Sequence, residues 1–497
     1  MNVLNMGMTN RIDRPVKVLQ FGEGNFLRGF VDYMIDIANQ KGCFDGSIVI
    51  VKPIQGGNLD SFYRQDCQYT VYLRGVADKK EETVQRIVTS VSDAVDAYRN
   101  YVKYSNYAKL DSLRFIVSNT TEAGIYYDDT DLFSLTPPQS YPGKLTKFLF
   151  ERYVHFNGDL NKGLIILPVE LIDDNGIKLL ECVNRLAAKW ELDKGFVEWL
   201  DTACVFCSTL VDRIITGYPR EEAEGLWKTF GYEDRLIVTG EPFALWVIES
   251  PKDISLEIPL DKAGLSVLFT DNQAPYRQRK VRILNGAHTS FALAAYLCGY
   301  DYVLEAMQDE LFLAFIRGII YEEVIPTLDL PKEQLGEFAE AVFDRFNNPN
   351  IKHSLLSISL NSVSKWKARC MPSLLGFVEN TGMMPARLAF SLASLMAFYS
   401  GNVIEDGSLI GSRDGLEYRI KDDMDVLAFF AANSAKETAV FVHAFLSSTA
   451  FWGLDLSVLP EAETTVAAYL DEIRTIGVRP AMAKLLDGQG THHAERS

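Results

Sequence analysis

The order of apolar periods constrains the fold of this chain more than any other feature. From Pro15 to about Ile172 short runs of β-rich composition alternate with longer helical stretches, and beyond Arg277 the spacing is helical almost throughout. Val16–Phe21, Ser47–Val51, Tyr69–Arg74, Leu113–Ser118 and Gly163–Pro168 are the predicted strands, and their alternation with helical stretches predicts a mostly parallel sheet with helices on its faces. After a turn at Asp173–Gly176, helices are expected over Ile177–Trp190 and Lys194–Ala203, with further strands over Val205–Ile215 and Leu265–Phe269. The later helices are expected over Val281–Cys298, Val303–Val324, Gln334–Phe346, Ser354–Leu360, Ala386–Tyr399, Met424–Asn433 and Ala435–Leu446. At 497 residues the chain is too long for one ordinary core.

The first strand runs into a glycine turn and then a helix: Val18-Leu-Gln-Phe-Gly22-Glu-Gly24-Asn-Phe26-Leu-Arg28. A dinucleotide pyrophosphate needs a backbone it can approach, amides that face it and a helix N-terminus behind them. Gly22 and Gly24 offer the first two, and the helix from Asn25 the third. Leu27 stands where the usual fingerprint has its third glycine, so the motif alone also fits an ordinary strand–helix turn. The fold class expected is therefore α/β: an N-terminal Rossmann-like dinucleotide-binding domain, 1–276, followed by a mostly α-helical C-terminal substrate domain, 277–497. The second strand ends in Lys52 rather than the acidic residue that grips the ribose of NAD. That lysine suits either a 2′-phosphate or a solvated strand end, so NAD and NADP both stay open.

Between Lys280 and His288 the run Lys-Val-Arg-Ile-Leu-Asn285-Gly-Ala-His gathers an acid/base, an amide and an imidazole. On an α-helix the three fall at roughly 0°, 140° and 80° around the axis, able to look into one cleft. Ketone reduction with a nicotinamide needs a proton donor and a dipole for the oxyanion. Lys280 supplies the first if burial and cationic neighbours such as Arg279 and Arg282 lower its pKa, and Asn285 supplies the second. His288 then binds a substrate hydroxyl or orients the lysine. The bland alternative is a solvated helix-start lysine, a local cap and a satisfied core histidine.

Composition narrows the partners. A formal net charge of -17 repels nucleic acid and anionic lipid, so an anionic substrate would need a local cationic pocket. The longest strongly apolar stretch, about Leu388 to Tyr399, is shorter than the roughly 20 residues that span a bilayer. The amino terminus carries no secretory pattern and the seven cysteines are an odd, scattered set, which together predict a cytoplasmic protein with reduced thiols. Cys204-Val-Phe-Cys207 has redox or half-zinc spacing but no second pair, and reads as buried thiols. His155, His288, His353 and His443 show no paired ligand spacing, so no metal is expected. The tail from Asp487, with His492 and His493, reads as disordered.

At these residues the sequence resembles the mannitol dehydrogenase family of long-chain polyol and sugar-acid dehydrogenases. The likeness rests on Lys280-x4-Asn285-x2-His288, Gly22-x-Gly24-x-Phe26-x-Arg28, Ser118-Asn-Thr-Thr-Glu122-Ala-Gly124, Thr209-Leu-Val-Asp-Arg-Ile214 and Arg345-Phe-Asn-Asn-Pro349, and covers nearly the whole chain. Several stretches look like its sugar-acid branch. The resemblance implies NAD(H)-dependent interconversion of tagaturonate and altronate, with the fructuronate–mannonate and mannitol–fructose pairs as sister activities and NADP not excluded. It implies Lys280 as general acid/base, Asn285 as oxyanion donor and His288 as a substrate-binding group, with cofactor contacts from Phe21, Gly22, Gly24, Asn25, Phe26, Arg28, Asn119, Thr120, Thr121 and Glu122. Val211 and Asp212 are implied substrate contacts. One departure is Leu171 after Glu170, where many polyol dehydrogenases carry an Asn, which removes a second oxyanion amide. Of the basic stretches Lys352-His353 and Lys365-Trp-Lys367-Ala-Arg369, Lys365, helped by His353, is the expected partner of the substrate carboxylate, against the reading of a solvated helix face. The expected partners are a sugar acid and a nicotinamide cofactor, on a monomer or small homo-oligomer. A non-catalytic sensor that keeps the fold is the alternative from another class.

Overall fold

The computed structural model describes residues 1–77, 80–120 and 124–494, and the chain divides into two units, 1–273 and 274–497. The composition shift puts the boundary at 276/277, a few residues later.

Unit one is built on six parallel strands: β1 (Val16–Phe21), β2 (Ser47–Lys52), β3 (Val91–Asp96), β4 (Phe115–Ser118), β5 (Ile165–Pro168) and β6 (Val205–Phe206), in the order β3-β2-β1-β4-β5-β6. All six residues of β2 are buried, as a central strand covered on both faces requires. Their side chains alternate between two cores. Val18, Ile48, Ile50, Phe115, Val117, Ile165 and Leu167 belong to one, and Leu19, Phe21, Val49, Val51, Ile116 and Ile166 to the other, which is the two-residue period of strands expressed as two layers of helices. The direction of winding reverses between β1 and β4, and ligands of such sheets bind outside the carboxyl ends of the strands at that switch point. Here those ends are Phe21 and Ser118.

Several elements differ from expectation. Tyr69–Arg74 is a strand, extended to Ala77, but it leaves the parallel sheet to pair antiparallel with Lys80–Val88. The third parallel strand is instead Val91–Asp96, whose Ser92, Asp93 and Asp96 hide its strand character. Val205–Ile215 is not one strand: Ser208–Asp212 crosses to a three-stranded sheet with Leu245–Glu249 and Val267–Thr270.

Unit two is mostly helical around two helices buried almost all round, Gly286–Leu297 and Ala386–Phe398, as a central helix must be. The expected helix Val303–Val324 is broken into Val303–Met307, Glu310–Gly318 and a π-helical turn Ile319–Val324, with Asp309 capping the second piece through the amides of Leu311 and Phe312. A three-stranded antiparallel sheet, Ile404–Glu405, Ser408–Arg413 and Leu416–Ile420, interrupts the helices. As far as Ala494 the expected disorder from Asp487 gives way to a helix, Val478–Ala494, anchored by the buried Ala481, Met482 and Leu485 upstream; the last three residues of that tail lie outside the described residues. No helix among the described residues is long and apolar enough to cross a membrane.

Candidate active site

In unit one the turn after β1 does what its glycines allow. Gly22 has φ +124°, and a Cβ there would meet the Asn119 carbonyl at 3.0 Å, so this position needs glycine. Gly24 differs: a Cβ built there meets nothing within 4 Å among the described residues, because the position opens onto a cleft of about 380 Å³. Gly24 is the N-cap of the helix from Asn25, whose first amides lack intrahelical partners and favour an anion. Gly22, Glu23, Gly24, Asn119 and Thr120 line the cleft, together with Ile54, Tyr126 and Ser140, which the motif does not reveal because they lie elsewhere in the chain. A second helix, Tyr141–His155, also begins at this cleft, but the Asp131 carboxylate already accepts from the amides of Gln139 and Ser140.

The other expected cofactor residues support the turn. Arg28 is 6 % exposed and donates to Glu23 O, Leu236 O and Asn25 Oδ1, while Phe26 stacks on Phe30 at 5.0 Å. Phe21 is buried against Tyr104 and Tyr141. Glu170 is buried and accepts from Thr120 N, Thr120 Oγ1 and Ser118 Oγ, bracing the loop after β4. Burial pushes its carboxyl up, against the pull of those donors. Leu171 beside it is exposed. Thr121 and Glu122 lie outside the described residues. Lys52 is not the solvated strand end allowed by the sequence: it is 2 % exposed, donates to Ile54 O and lies 3.5 Å from Asp96. Val211 and Asp212 are buried at the end of the strand Ser208–Asp212. Cys204 and Cys207 are buried thiols, pushed by desolvation up to about 12 and about 11.

In unit two the lysine–asparagine–histidine run is not a plain α-helix. Ala274–Arg279 is α-helical, Lys280–Asn285 is a π-helical turn, and Gly286–Leu297 resumes the α-helix. Bonding from i to i+5 brings Lys280 and Asn285 nearer to one line than α winding would, and His288 follows Asn285 by three residues on the same face. Lys280 and Asn285 are half-buried. The neighbouring guanidiniums have other engagements: Arg279 lies over the Phe338 ring at 4.4 Å, and Arg282 donates to Thr327 O at 3.4 Å.

His288 is 8 % exposed, stacked on Phe346 at 4.0 Å and edge-on to His353 at 4.7 Å. Burial first, then the charges of His353, Arg345 and Arg369, hold its pKa well below the ordinary value, so the ring is neutral at physiological pH. Its Nε2 meets no hydrogen-bond partner among the described residues. A buried polar atom left so is rare and calls for a ligand or water. His353 is likewise shifted down by burial. The structure brings His353 to His288, and the Lys365 ammonium donates to Ile358 O at 3.0 Å. Among the described residues no group of three or more His, Cys, Asp or Glu is arranged to hold a metal ion.

Comparison with known proteins bears on both halves. Residues 16–262 match the family described as mannitol dehydrogenase Rossmann domain, and residues 272–474 that described as mannitol dehydrogenase C-terminal domain. The chain is 45% identical over 478 residues to the altronate oxidoreductase of Klebsiella pneumoniae strain 342, covering 95% of this chain and 97% of that one. It is 43% identical over 476 residues to that of Yersinia enterocolitica, covering 94% and 96%. Among solved structures, a D-sorbitol dehydrogenase in substrate-free form is similar with TM-score 0.81 at 21% identity, over 97% of this chain and 100% of that one. Pseudomonas fluorescens mannitol 2-dehydrogenase, solved as a ternary complex with NAD and D-mannitol, gives 0.68 at 22%, over 97% and 99%. These two likenesses concern the fold.

Proposed function

The chain belongs to the mannitol dehydrogenase family, and from that premise we propose that it interconverts tagaturonate and altronate, a keto sugar acid and its alcohol, with NAD(H). The observation that carries the reading is His288 Nε2, a buried polar atom without a partner among the described residues, on the helix face that also carries Lys280 and Asn285. A core histidine would have its nitrogens satisfied.

The residues of unit one suit a dinucleotide. Gly22 and Gly24 let the backbone come close to a pyrophosphate, Gly24 leaves open the space a Cβ would fill, and Asn119 and Thr120 line the same cleft. Asn25, Phe26, Arg28 and Phe21 hold the turn that presents those groups. With Lys52 engaged by Asp96 and Ile54 O, this strand-end cation is not reserved for a 2′-phosphate, which supports NAD over NADP. When bound, NADH supplies the hydride for the ketone carbon.

The rest of the chemistry belongs to the protein. Lys280, as an ammonium, gives a proton to the ketone oxygen that becomes the hydroxyl of altronate, and takes it back in the oxidative direction. Asn285 donates an amide hydrogen bond to that oxygen, strongest as negative charge develops there. The neutral His288 offers Nε2 to a sugar hydroxyl, with His353 as its neighbour. Val211 and Asp212 are assigned as further substrate contacts on the family likeness. We place the protein in the cytoplasm, in keeping with its free thiols.

Replacing Lys280 by Ala tests the assignment. Turnover of tagaturonate should fall by about 10²–10⁴-fold, the usual worth of a general acid, while NADH binding measured by fluorescence stays at the wild-type level. Wild-type turnover in Lys280→Ala removes the lysine from the mechanism.

A further inference from the structure

An acidic protein that binds an acidic substrate must hold its carboxylate against its own field. Lys365 donates to the Ile358 carbonyl at 3.0 Å. One turn further along the same helix, Ser362–Arg369, stands Arg369. It is half-buried, and among the described residues its guanidinium has one hydrogen-bond partner, Thr289 Oγ1, at 3.3 Å. No described carboxylate lies within ion-pair distance of it, although the chain carries 66 Asp and Glu residues. Thr289 follows His288 directly, and Arg369 is one of the charges felt by the His288 ring.

This placement is built into the packing. A Cβ on Gly286 would lie 3.3 Å from the Arg369 carbonyl, and the Cys370 thiol rests 3.5 Å from the Gly286 carbonyl. The glycine between Asn285 and His288 therefore lets the end of the arginine helix come against the start of the histidine helix. A half-buried guanidinium stays charged, and with no described carboxylate beside it, it is a ready partner for one supplied by a ligand.

We propose that Arg369 is the residue that recognises the substrate carboxylate and so sets the preference for a sugar acid over a neutral ketose. The inference rests on the sugar-acid reading given above. Its fork reaches both carboxylate oxygens, while Thr289 fixes one side of the guanidinium and His288 takes a hydroxyl of the same sugar.

The test compares tagaturonate with tagatose, which has the same backbone and a hydroxymethyl group in place of the carboxylate. In Arg369→Met, kcat/KM for tagaturonate should fall by about 10- to 100-fold, the worth of a charge-assisted hydrogen bond, and any activity on tagatose should change little. Arg369→Lys keeps the charge without the fork and should fall in between, mainly through KM. Added guanidinium ion at millimolar concentration should restore part of the tagaturonate activity of Arg369→Ala, which loss of a merely structural residue would not allow. If Arg369→Met does not fold, the lysine variant carries the comparison. Equal losses on both sugars, in a wild type that prefers the acid, overturn the role of Arg369 alone. A wild type indifferent to the carboxylate overturns the sugar-acid reading and this inference with it.

Discussion

Asp32 lies fully buried on the helix that follows the glycine turn, with Tyr69 donating to it at 2.6 Å and Gln20 at 3.4 Å. Gln20 also donates to the Gly22 carbonyl, so the carboxyl belongs to the support beneath the turn. Burial pushes it up to about 7, against the donors and the Arg28 charge. The sign follows. A carboxyl with a folded pKa above its unfolded value, about 3.9, adds stability that is complete below the unfolded pKa and lost as pH rises through about 7. Asp32→Asn cannot ionise. Its thermal unfolding midpoint should therefore fall less than that of wild type between about pH 6 and about pH 8, and equal slopes for the two proteins would remove Asp32 as the cause. At this scale the spacing of Lys280, Asn285 and His288 stands in the sequence itself, whereas the direction a side chain takes is decided by packing. Lys365 and Arg369 are both cations of one helix; only the contact at Gly286 separates the lysine turned to a backbone carbonyl from the arginine beside Thr289.

Elements were read best where one period runs undisturbed. The buried runs of β1, β2, β4 and β5 and the long helix Ala386–Phe398 declare themselves, and so does the turn after β1. The π-helical turn at Lys280–Asn285 does not, because one extra residue in a turn leaves no trace in apolar spacing. The small antiparallel sheet of unit two is signalled by its turns. Asp406-Gly407 and Asp414-Gly415 both have positive φ at each residue, the conformation of tight hairpin turns for which Asp-Gly is a strong signal. The turn after β1 gives the element-level prediction. Since a Cβ at Gly24 would meet no atom of the described residues within 4 Å, Gly24→Val should fold with a near-normal unfolding midpoint yet bind NADH far more weakly, the valine standing where a pyrophosphate approaches. A folded variant with unchanged affinity would make the turn purely structural.

Across the whole molecule, the shift from alternating to helical periods located two units from sequence alone, because each period reports a different kind of core. What sequence could not give is the second sheet and the helical tail, which depend on partners distant along the chain. The net charge of -17 sets the functional problem for the entire protein: the acid must be preferred by a local cationic site, not by the global field. Initial rates of NADH oxidation by the purified protein with tagaturonate, fructuronate, fructose and tagatose put this most directly. The account predicts the highest kcat/KM for tagaturonate, with altronate as the product and the neutral ketoses far behind. Equal or faster turnover of fructose, or no NADH oxidation with any of the four, would contradict it.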